Sequence, residues 1–196
     1  MDKPTLRRWG REQRRGVDPA ARVTAARAMV ARVLALPQLA APTEVLAYTA
    51  VGAEVPTTEL VEALHAAGHR VALPRITDLE SADMCAVRVQ AGDTLVDGPC
   101  GVPTPRPGPL LEHPAVVVVP GVVFCPDTGA RLGQGGGFYD RFLARHPEAL
   151  AVGLAFDAQC SPDATAVAQP HDRGVHALVS ESGTRWFGPP DAIEES

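Results

Sequence analysis

The sequence predicts an α/β protein with three α/β/α layers, a mostly parallel central sheet and an N-terminal helical segment. Short β-rich runs alternate with amphipathic helical stretches between residues 44 and 180, as in sheets whose parallel strands are joined by crossover helices. One run, AVVVVPG at 115–121, is apolar almost throughout, which is typical of a strand covered on both faces. Because the chain has 196 residues, we expect a single domain over 1–196.

The N-terminal part of the chain is predicted to be helical. Asp18 and Pro19 form a helix-start signal, since an N-cap residue is followed by proline at the first helical position. Apolar residues at helical spacing continue to Leu36, and Pro37 ends the helix. We therefore expect residues 1–36 to form N-terminal helices that pack on the α/β core.

The other elements follow in order along the chain. The run at 56–68 carries apolar residues on one helical face and ends at Gly68. The run at 85–90 alternates apolar and polar residues, which favours a half-exposed or edge strand. The predicted strands are 44–50, 69–74, 85–90, 115–121, 149–156 and 175–180, and the predicted helices are 56–68 and 138–146.

One segment, 97–114, interrupts the alternation because it is rich in proline and glycine. It predicts a loop inside the domain, since strands of the same pattern lie on both sides of it. Long loops in compact domains often serve as lids over a site. A rigid crossing of the surface is the alternative, and the sequence leaves both interpretations open.

The charge balance and the cysteines argue against several classes of protein. The formal net charge of −5 argues against a nucleic-acid-binding protein, and no apolar run is long enough to span a bilayer. The four cysteines form no C-x-x-C pair and have no matched histidine spacing, which argues against a zinc site. No apolar signal segment is present at the N-terminus. We expect a cytoplasmic monomer with reduced thiols and no nucleic-acid or membrane partner.

A cluster of basic residues near the N-terminus has two interpretations. It is either a solvated helix face or an arm whose cations reach a bound phosphate. Charge and spacing alone do not choose between the two. The cluster consists of Lys3, Arg7, Arg8, Arg11, Arg14 and Arg15.

The most unusual segment has four glycines within five residues, at positions 133, 135, 136 and 137. A glycine-rich loop that enters a helix N-terminus is suited to anions, because its N–H groups can turn inward and the helix dipole favours negative charge. Arg131 would add a permanently charged fork that suits phosphate. The alternative is a tight strand-to-helix connection that needs positive φ.

Two aspartates are candidates for a metal site. Asp140 falls in the first turn of the predicted helix, where a carboxylate is favourable in any case. It can also serve a Mg²⁺ ion carried by a nucleoside triphosphate, because Mg²⁺ takes one or two carboxylates and keeps several waters. Asp172 is the second candidate, although a loop aspartate is most often a turn former.

The segment 116–143, VVVVPGVVFCPDTGARLGQGGGFYDRFL, resembles the central motif of the 5-formyltetrahydrofolate cyclo-ligase family. Further motifs similar to those of the family occur in the same order, so the resemblance extends from Lys3 to about Ser180. These are Lys3 with Leu6-Arg7, Glu54-Val55 with Thr57, Leu73-Pro74, Gly101-Val102 with Pro105, and His171-Asp172. Two positions depart from the pattern: Cys125 stands where the family commonly has Asp, and Thr104 stands where it often has Glu.

The resemblance implies an ATP- and Mg²⁺-dependent conversion of 5-formyltetrahydrofolate to 5,10-methenyltetrahydrofolate, with release of ADP and phosphate. It implies that Arg131 is catalytic, by stabilising charge on the transferring phosphoryl group, and that Asp140 and Asp172 hold Mg²⁺. The ATP-binding residues that it implies are Lys3, Arg7, Arg131, Leu132, Gly133, Gln134, Gly135, Gly136, Gly137, Phe138 and Tyr139. The folate-binding residues that it implies are Thr49, Glu54, Gln134, Gly135, Gly136, Gly137 and Phe138.

The remaining candidates receive structural roles. We expect Arg8, Arg11, Arg14 and Arg15 to stay solvated and the cysteines to be structural, with Cys125 a small buried filler. Tyr139 is expected either to pack against the nucleotide or to fill the core.

Two other classes of function remain open. One is a related ATP-dependent enzyme that acts on a different N-formyl or carboxylate substrate, for which the departures at Cys125 and Thr104 are the motive. The other is a non-catalytic protein that binds nucleotide or folate. The joint presence of Arg131, Asp140 and Asp172 speaks against a mere binder, which needs no metal-held γ-phosphate. The expected partners are the small molecules ATP and 5-formyltetrahydrofolate.

Overall fold

A seven-stranded sheet forms the centre of the protein in a computed structural model that describes residues 1–188. A separate hairpin pairs two short strands, β5 and β6. The strands within this range are β1 (Glu44–Leu46), β2 (Arg70–Asp78), β3 (Asp83–Arg88), β4 (Val116–Val119), β5 (Val123–Phe124), β6 (Arg131–Leu132), β7 (Leu150–Leu154), β8 (Ala177–Val179) and β9 (Thr184–Trp186).

The strand order in the large sheet is β3-β2-β1-β4-β7-β8-β9. The inner pairs are parallel, whereas β2/β3 and β8/β9 are antiparallel. This confirms the predicted α/β class with a mostly parallel sheet, and it places the predicted edge strand, β3, at an edge. All four residues of β4 are buried, as the apolar run predicted, because β4 lies between two parallel strands.

Helices cover both faces of the sheet. The helices within the described range are α1 (Lys3–Gly16), α2 (Pro19–Leu34), α3 (Thr58–Ala66), α4 (Phe138–Arg145) and α5 (Asp163–Ala166). On one face, Met29 of α2 and Leu60 of α3 pack with Val118 of β4. On the other face, Phe142 of α4 packs with Val119. Because successive side chains of a strand point to opposite faces, β4 contributes to both buried layers.

The first helix, α1, packs on the β5/β6 hairpin. Leu6 of α1 is fully buried in a cluster with Val123 and Leu132. Gly10 allows the close approach, since a Cβ at that position would lie 2.5 Å from Val123 Cγ2 and 2.7 Å from the Val122 carbonyl oxygen. The two N-terminal helices therefore pack on different parts of the protein. Helix α2 packs on the sheet, whereas α1 packs on the hairpin and lies beside the segment that follows β6.

Several short elements carry no clear pattern in the sequence and were not predicted: β5, β6, β9 and α5. Within residues 1–188, no helix has the length and apolar character required to cross a membrane. The predicted domain boundary at residue 196 lies outside the described residues.

Candidate active site

A cavity of about 1050 Å³ opens beside the carboxyl ends of β1 and β4. Thr49, which follows β1, and Gly121, which follows β4, both line it. Ligands of open parallel sheets bind where the strand order reverses, and here the chain places β2 on one side of β1 and β4 on the other. The volume exceeds what one drug-sized ligand needs, so the cavity has room for two substrates.

The glycine loop, residues 133–137, runs along this cavity between β6 and α4. Gly135 and Gly137 have φ values of 113° and 75°, which residues with a Cβ rarely adopt. Gly137 is the N-cap of α4, so the positive end of the helix dipole meets the loop. The glycines thus meet a conformational requirement and also leave the backbone open toward an anion.

Two cations reach the cavity from α1. Arg7 donates Nε to the carbonyl of Gly133 at 2.9 Å, and its guanidinium also lies against Gly135. Lys3 donates Nζ to Asp172 Oδ2 at 2.7 Å and to Gln169 Oε1 at 2.9 Å. Because both side chains line the cavity, two members of the basic cluster lie where a bound phosphate could be reached.

Arg131 lies beneath the glycine loop with only 3 % of its side chain exposed. It donates Nη2 to Asp140 Oδ1 at 2.6 Å, and it reaches the carbonyls of Pro120 and Arg173 through longer contacts of 3.3 Å. A Cβ at Gly133 would lie 2.8 Å from Arg131 Nη1. The absence of a side chain at Gly133 therefore lets this guanidinium lie directly under the loop.

Asp140 and Asp172 both line the cavity, and each has one oxygen engaged. Asp140 Oδ1 accepts from Arg131 and from the Arg173 N–H at 2.9 Å. Asp172 Oδ2 accepts from Lys3 and from a backbone N–H. The other oxygen of each carboxylate receives no hydrogen bond from residues 1–188, and His171 Nε2 lies 3.8 Å from Asp172 Oδ1. This donor set fits Mg²⁺, which combines one or two carboxylates with substrate phosphates and water.

The pKa of Asp172 is lowered from its ordinary value. Burial acts to raise the pKa, but hydrogen bonds from Lys3 and from the Gln169 N–H, together with the charge of Lys3, outweigh that effect. The carboxyl group is therefore ionised at neutral pH, as a ligand of Mg²⁺ must be. Within residues 1–188, no three side chains of the His, Cys, Asp or Glu types gather as a metal site, so triphosphate oxygens and water would have to supply the remaining ligands.

Glu54 and several uncharged polar groups line another part of the cavity. Glu54 is buried, its Oε2 accepts from the Val51 N–H at 3.1 Å, and Gln134 Nε2 lies 3.5 Å from its Oε1. Thr49 Oγ1 and the Tyr139 hydroxyl are buried without a hydrogen-bond partner in the described part of the chain. Buried polar atoms nearly always find partners, so these two orphaned groups indicate a ligand with polar edges.

Phe138 and Tyr139, the first two residues of α4, line the cavity and also pack against the sheet. Burial raises the pKa of the Tyr139 phenol, which keeps it protonated and able to donate. The ring packs against the core, one of the two roles expected for Tyr139, and the residue also lines the cavity.

The proline-rich segment 97–114 forms one wall of the cavity through Pro99, Cys100, Val102 and Thr104. It is anchored to β2, since Thr104 Oγ1 donates to the Pro74 carbonyl at 3.0 Å and Arg75 Nη1 donates to the Pro105 carbonyl at 2.8 Å. The segment therefore borders the site while it is bonded to the sheet.

The two departures from the family pattern lie differently with respect to the cavity. Cys125 is buried between α1 and the hairpin, as expected of a filler, and is not part of the cavity wall. Thr104 does line the wall, but its hydroxyl is already used by the Pro74 carbonyl. Neither position presents an unused polar group to a substrate.

The cavity lining also includes polar residues that the sequence interpretation missed, among them Tyr48, Arg141, Gln169 and Arg173. Arg141 and Arg173 each directly follow a predicted metal ligand, Asp140 and Asp172. A cation adjacent to a predicted metal carboxylate is the signal that could have identified both.

The prediction that Arg14 stays solvated is wrong. Its side chain is 8 % exposed, and its Nη1 lies 3.4 Å from Glu54 Oε1 and 3.4 Å from the Gly121 carbonyl. The reason is helical spacing: Leu6, Gly10 and Arg14 recur every four residues and share one face of α1. The face that buries Leu6 therefore buries Arg14 as well.

The rest of the basic cluster lies nearer to solvent. Arg8 and Arg15 are exposed, as predicted, whereas Arg11 is half-buried and donates Nε to the Arg7 carbonyl.

Comparison with known proteins agrees with the motifs. The model of the 5-formyltetrahydrofolate cyclo-ligase family matches residues 1–181. The chain is 29% identical over 160 residues to a 5-formyltetrahydrofolate cyclo-ligase of Saccharomyces cerevisiae, a match that covers 68% of this chain and 74% of the yeast protein. It is 29% identical over 155 residues to one of Escherichia coli K12, covering 76% of this chain and 85% of that protein.

Solved structures show the same fold. The NMR structure of a 5,10-methenyltetrahydrofolate synthetase from Aquifex aeolicus superimposes with a TM-score of 0.82 at 26% identity and covers 100% of this chain and 97% of that one. A 5,10-methenyltetrahydrofolate synthetase from Mycoplasma pneumoniae superimposes with a TM-score of 0.72 at 19% identity, over 92% and 99% of the two chains.

Proposed function

The chain belongs to the 5-formyltetrahydrofolate cyclo-ligase family, and from that premise we propose that its cavity converts 5-formyltetrahydrofolate to 5,10-methenyltetrahydrofolate while ATP is split to ADP and phosphate. The observation that carries the proposal is that one cavity combines two kinds of lining. We call the first the phosphate side, which consists of the glycine loop with Lys3, Arg7, Arg131, Asp140 and Asp172. We call the second the folate side, which consists of Thr49, Glu54, Gln134 and Phe138.

In this reaction, the protein mainly has to position the two substrates and stabilise the charge on the transferring phosphoryl group. The formyl oxygen of the substrate attacks the γ-phosphorus of ATP, and ADP leaves. The N10 atom of the folate then attacks the activated formyl carbon, and phosphate leaves as the ring closes, while N10 gives up its proton. Both substrates must therefore lie in one enclosed space, which the size of the cavity permits.

We assign the phosphates to the glycine loop and its cations. The loop backbone at Leu132, Gly133, Gly135, Gly136 and Gly137 would contact phosphate oxygens, together with Lys3, Arg7 and Tyr139. Arg131 would stabilise charge on the transferring phosphoryl group from below the loop. Its 3.3 Å contact with the Pro120 carbonyl is long, and a charged phosphate oxygen is the stronger acceptor.

Asp140 and Asp172 would hold Mg²⁺ through the oxygens that the protein leaves unbonded. When bound, Mg²⁺ would neutralise the charge that develops on the phosphates. Arg131 and Lys3 keep the two carboxylates oriented through their bonded oxygens.

We assign the folate to the opposite lining of the cavity. Glu54 would accept hydrogen bonds from the polar edge of the folate, and Gln134, which touches Glu54, would lie between the two substrates with Gly135, Gly136 and Gly137. Thr49 would use its orphaned hydroxyl, and Phe138 would pack against the ring. We further propose a cytoplasmic monomer with small-molecule partners only. Four cysteines that are all free suit a reducing compartment, and the net charge of −5 disfavours nucleic acid.

The first experiment mixes the purified chain with 5-formyltetrahydrofolate and MgATP and follows the near-ultraviolet absorbance of the methenyl product. Arg7→Met is compared with Arg8→Met, a control on the same helix whose side chain is exposed. We expect Arg7→Met to raise the KM for ATP about tenfold or more, since a charge-assisted contact is worth roughly 1.5–3 kcal/mol. Arg8→Met should leave the KM unchanged.

A folded wild-type chain that forms no product would overturn the proposal. Measurement of nucleotide hydrolysis and binding would then separate the two rivals: hydrolysis without folate indicates a different substrate, and binding without hydrolysis indicates a non-catalytic protein.

A further inference from the structure

Arg14, the basic residue that was wrongly expected in solvent, is buried behind the cavity wall. Its Nη1 is shared between Glu54 Oε1 and the Gly121 carbonyl at 3.4 Å each, and its Nε is buried without a hydrogen-bond partner in the described part of the chain. Glu54 lines the cavity, whereas Arg14 does not. Arg14 can therefore affect a bound substrate only through the groups that it holds.

We propose that Arg14 is a positioning residue that keeps the carboxylate of Glu54 aimed at the folate side of the cavity. The proposal rests on the proposed function, which assigns Glu54 to the folate. A buried carboxylate without a counter-charge becomes protonated or moves toward water. Arginine prevents this because its guanidinium stays charged even when buried, and because it offers several donors in a rigid fork.

The contacts of Glu54 explain why its direction depends on Arg14. The Val51 N–H binds Oε2, while Oε1 has only the long contacts to Arg14 and Gln134, at 3.4 and 3.5 Å. Gln134 belongs to the glycine loop and carries no charge. Arg14 is thus the cation that pairs with Glu54 within residues 1–188, and it supplies the charge that the buried carboxylate requires.

Two phenols and one further cation also face this region. Tyr48, which donates to the Val55 carbonyl at 2.9 Å, and Tyr139 of α4 both interact electrostatically with Glu54. Burial raises the pKa of both phenols, so neither changes charge between pH 6 and pH 9. Arg131 interacts with Tyr139 and is bound to Asp140. Among the described residues, Arg14 is therefore the cation that contacts Glu54 directly, whereas Arg131 is engaged by Asp140.

The position of Arg14 also connects the two halves of the site. It lies in the last turn of α1, the helix whose first two turns carry Lys3 and Arg7. One rigid helix thus contributes cations to the phosphate side and the counter-charge of the folate side. Substitution of Arg14 should therefore affect the two substrates unequally, since only the folate contacts Glu54.

The test uses steady-state kinetics of Arg14→Met, which keeps an unbranched apolar side chain and removes the guanidinium and its charge. We expect the KM for 5-formyltetrahydrofolate to rise about tenfold or more, because a misdirected Glu54 loses a charge-assisted contact with the folate, worth roughly 1.5–3 kcal/mol. The KM for ATP should change less than about twofold. Arg14→Lys should restore much of the loss.

A double-substitution cycle separates positioning from a general structural effect. If Arg14 acts through Glu54, Arg14→Met should add little to Glu54→Gln. Arg15→Met, an exposed change on the same helical turn, is the control. An equal effect of Arg14→Met on both KM values, or additivity with Glu54→Gln, would overturn the proposal.

The outcome stays interpretable if Arg14→Met does not fold, which its melting curve reports. The test then rests on Arg14→Lys, which keeps the charge but not the rigid fork. This variant should fold and show a smaller rise in the KM for the folate, with the KM for ATP unchanged. If wild type itself forms no product, the proposed function fails; if wild type is active and the Arg14 variants match it, only the positioning role fails.

Discussion

Gly137 joins the glycine loop to α4 with a φ of 75°, so one residue meets a backbone requirement and opens a binding surface. A Cβ at this position would meet Arg141 Nη1 at 2.6 Å, but that atom is the far end of a flexible, exposed side chain and can move aside. The main cost of a larger residue is therefore the left-handed backbone conformation.

We expect Gly137→Ala to lower the free energy of unfolding by about 1–3 kcal/mol and to raise the KM for ATP. Gly92→Ala is the matched control, because Gly92 has a φ of 86°, meets nothing within 4 Å and lies outside the cavity wall. Urea unfolding should show similar losses for both variants, and steady-state kinetics should show a changed KM for Gly137→Ala only. An unchanged KM for ATP in Gly137→Ala would argue against a phosphate role for the loop.

Neighbouring elements are tied together by neutral histidines. His176, just before β8, accepts the Ala151 N–H of β7 on Nδ1 at 2.9 Å, and His69, just before β2, accepts the Thr43 N–H at 3.2 Å. Burial lowers the pKa of both imidazoles below the ordinary value of 6.5. Protonation would remove the acceptor, so both contacts require the neutral ring.

The sign of the resulting pH dependence follows from linkage. The stabilising effect is fully present above pH 6.5, the ordinary value, and is lost as pH falls toward the lower pKa of the folded state, because the unfolded chain binds protons first. We expect His176→Asn, which keeps a neutral acceptor, to lose less unfolding free energy than wild type between pH 7.5 and pH 5, as measured by urea unfolding. His113→Asn, at an exposed position, is the control. Parallel curves for wild type and His176→Asn would contradict this account.

At the scale of the whole molecule, the cavity is assembled from separate parts of the chain. Lys3, Thr49, Val102, Arg131 and Asp172 all line it, although 169 residues separate the first from the last. Substrates that bridge these parts should stabilise the whole fold, since binding to the native state alone raises the free energy of unfolding.

We therefore expect saturating MgATP to raise the Tm by about 5 to 10 °C, since a ligand at one hundred times its Kd adds about 2.7 kcal/mol and a domain of this size gains roughly 2–4 °C for each kcal/mol. ATP with a chelator should give a smaller shift. In Asp140→Asn, the difference between the Tm shifts with and without Mg²⁺ should be smaller than in wild type, because only Asp172 and the phosphates would then hold the ion. A full Mg²⁺-dependent shift in this variant would remove Asp140 from the metal site.

The sequence by itself determined the class of the fold, the buried strand β4 and the loop that enters α4. These follow from local rules: β4 is apolar along its whole length, α3 and α4 repeat at 3.6 residues, and Gly135 and Gly137 adopt conformations open to few other residues. The motif at 116–143 also identified the family from the sequence, because its residues are contiguous and can be recognised without any tertiary contact.

The tertiary structure alone decided which charges are buried and which elements meet. Arg14 is the same residue type as Arg8 and Arg15 and lies in the same basic cluster. It lies against Glu54 because the face of α1 that carries Leu6 packs on the β5/β6 hairpin. The two strands of that hairpin are too short to carry a periodic signal. Burial and ion pairing are set by contacts between residues far apart in the chain, whereas local sequence patterns report only on neighbours within a few turns. For this reason, only the folded structure showed that Arg14 is the counter-charge of Glu54.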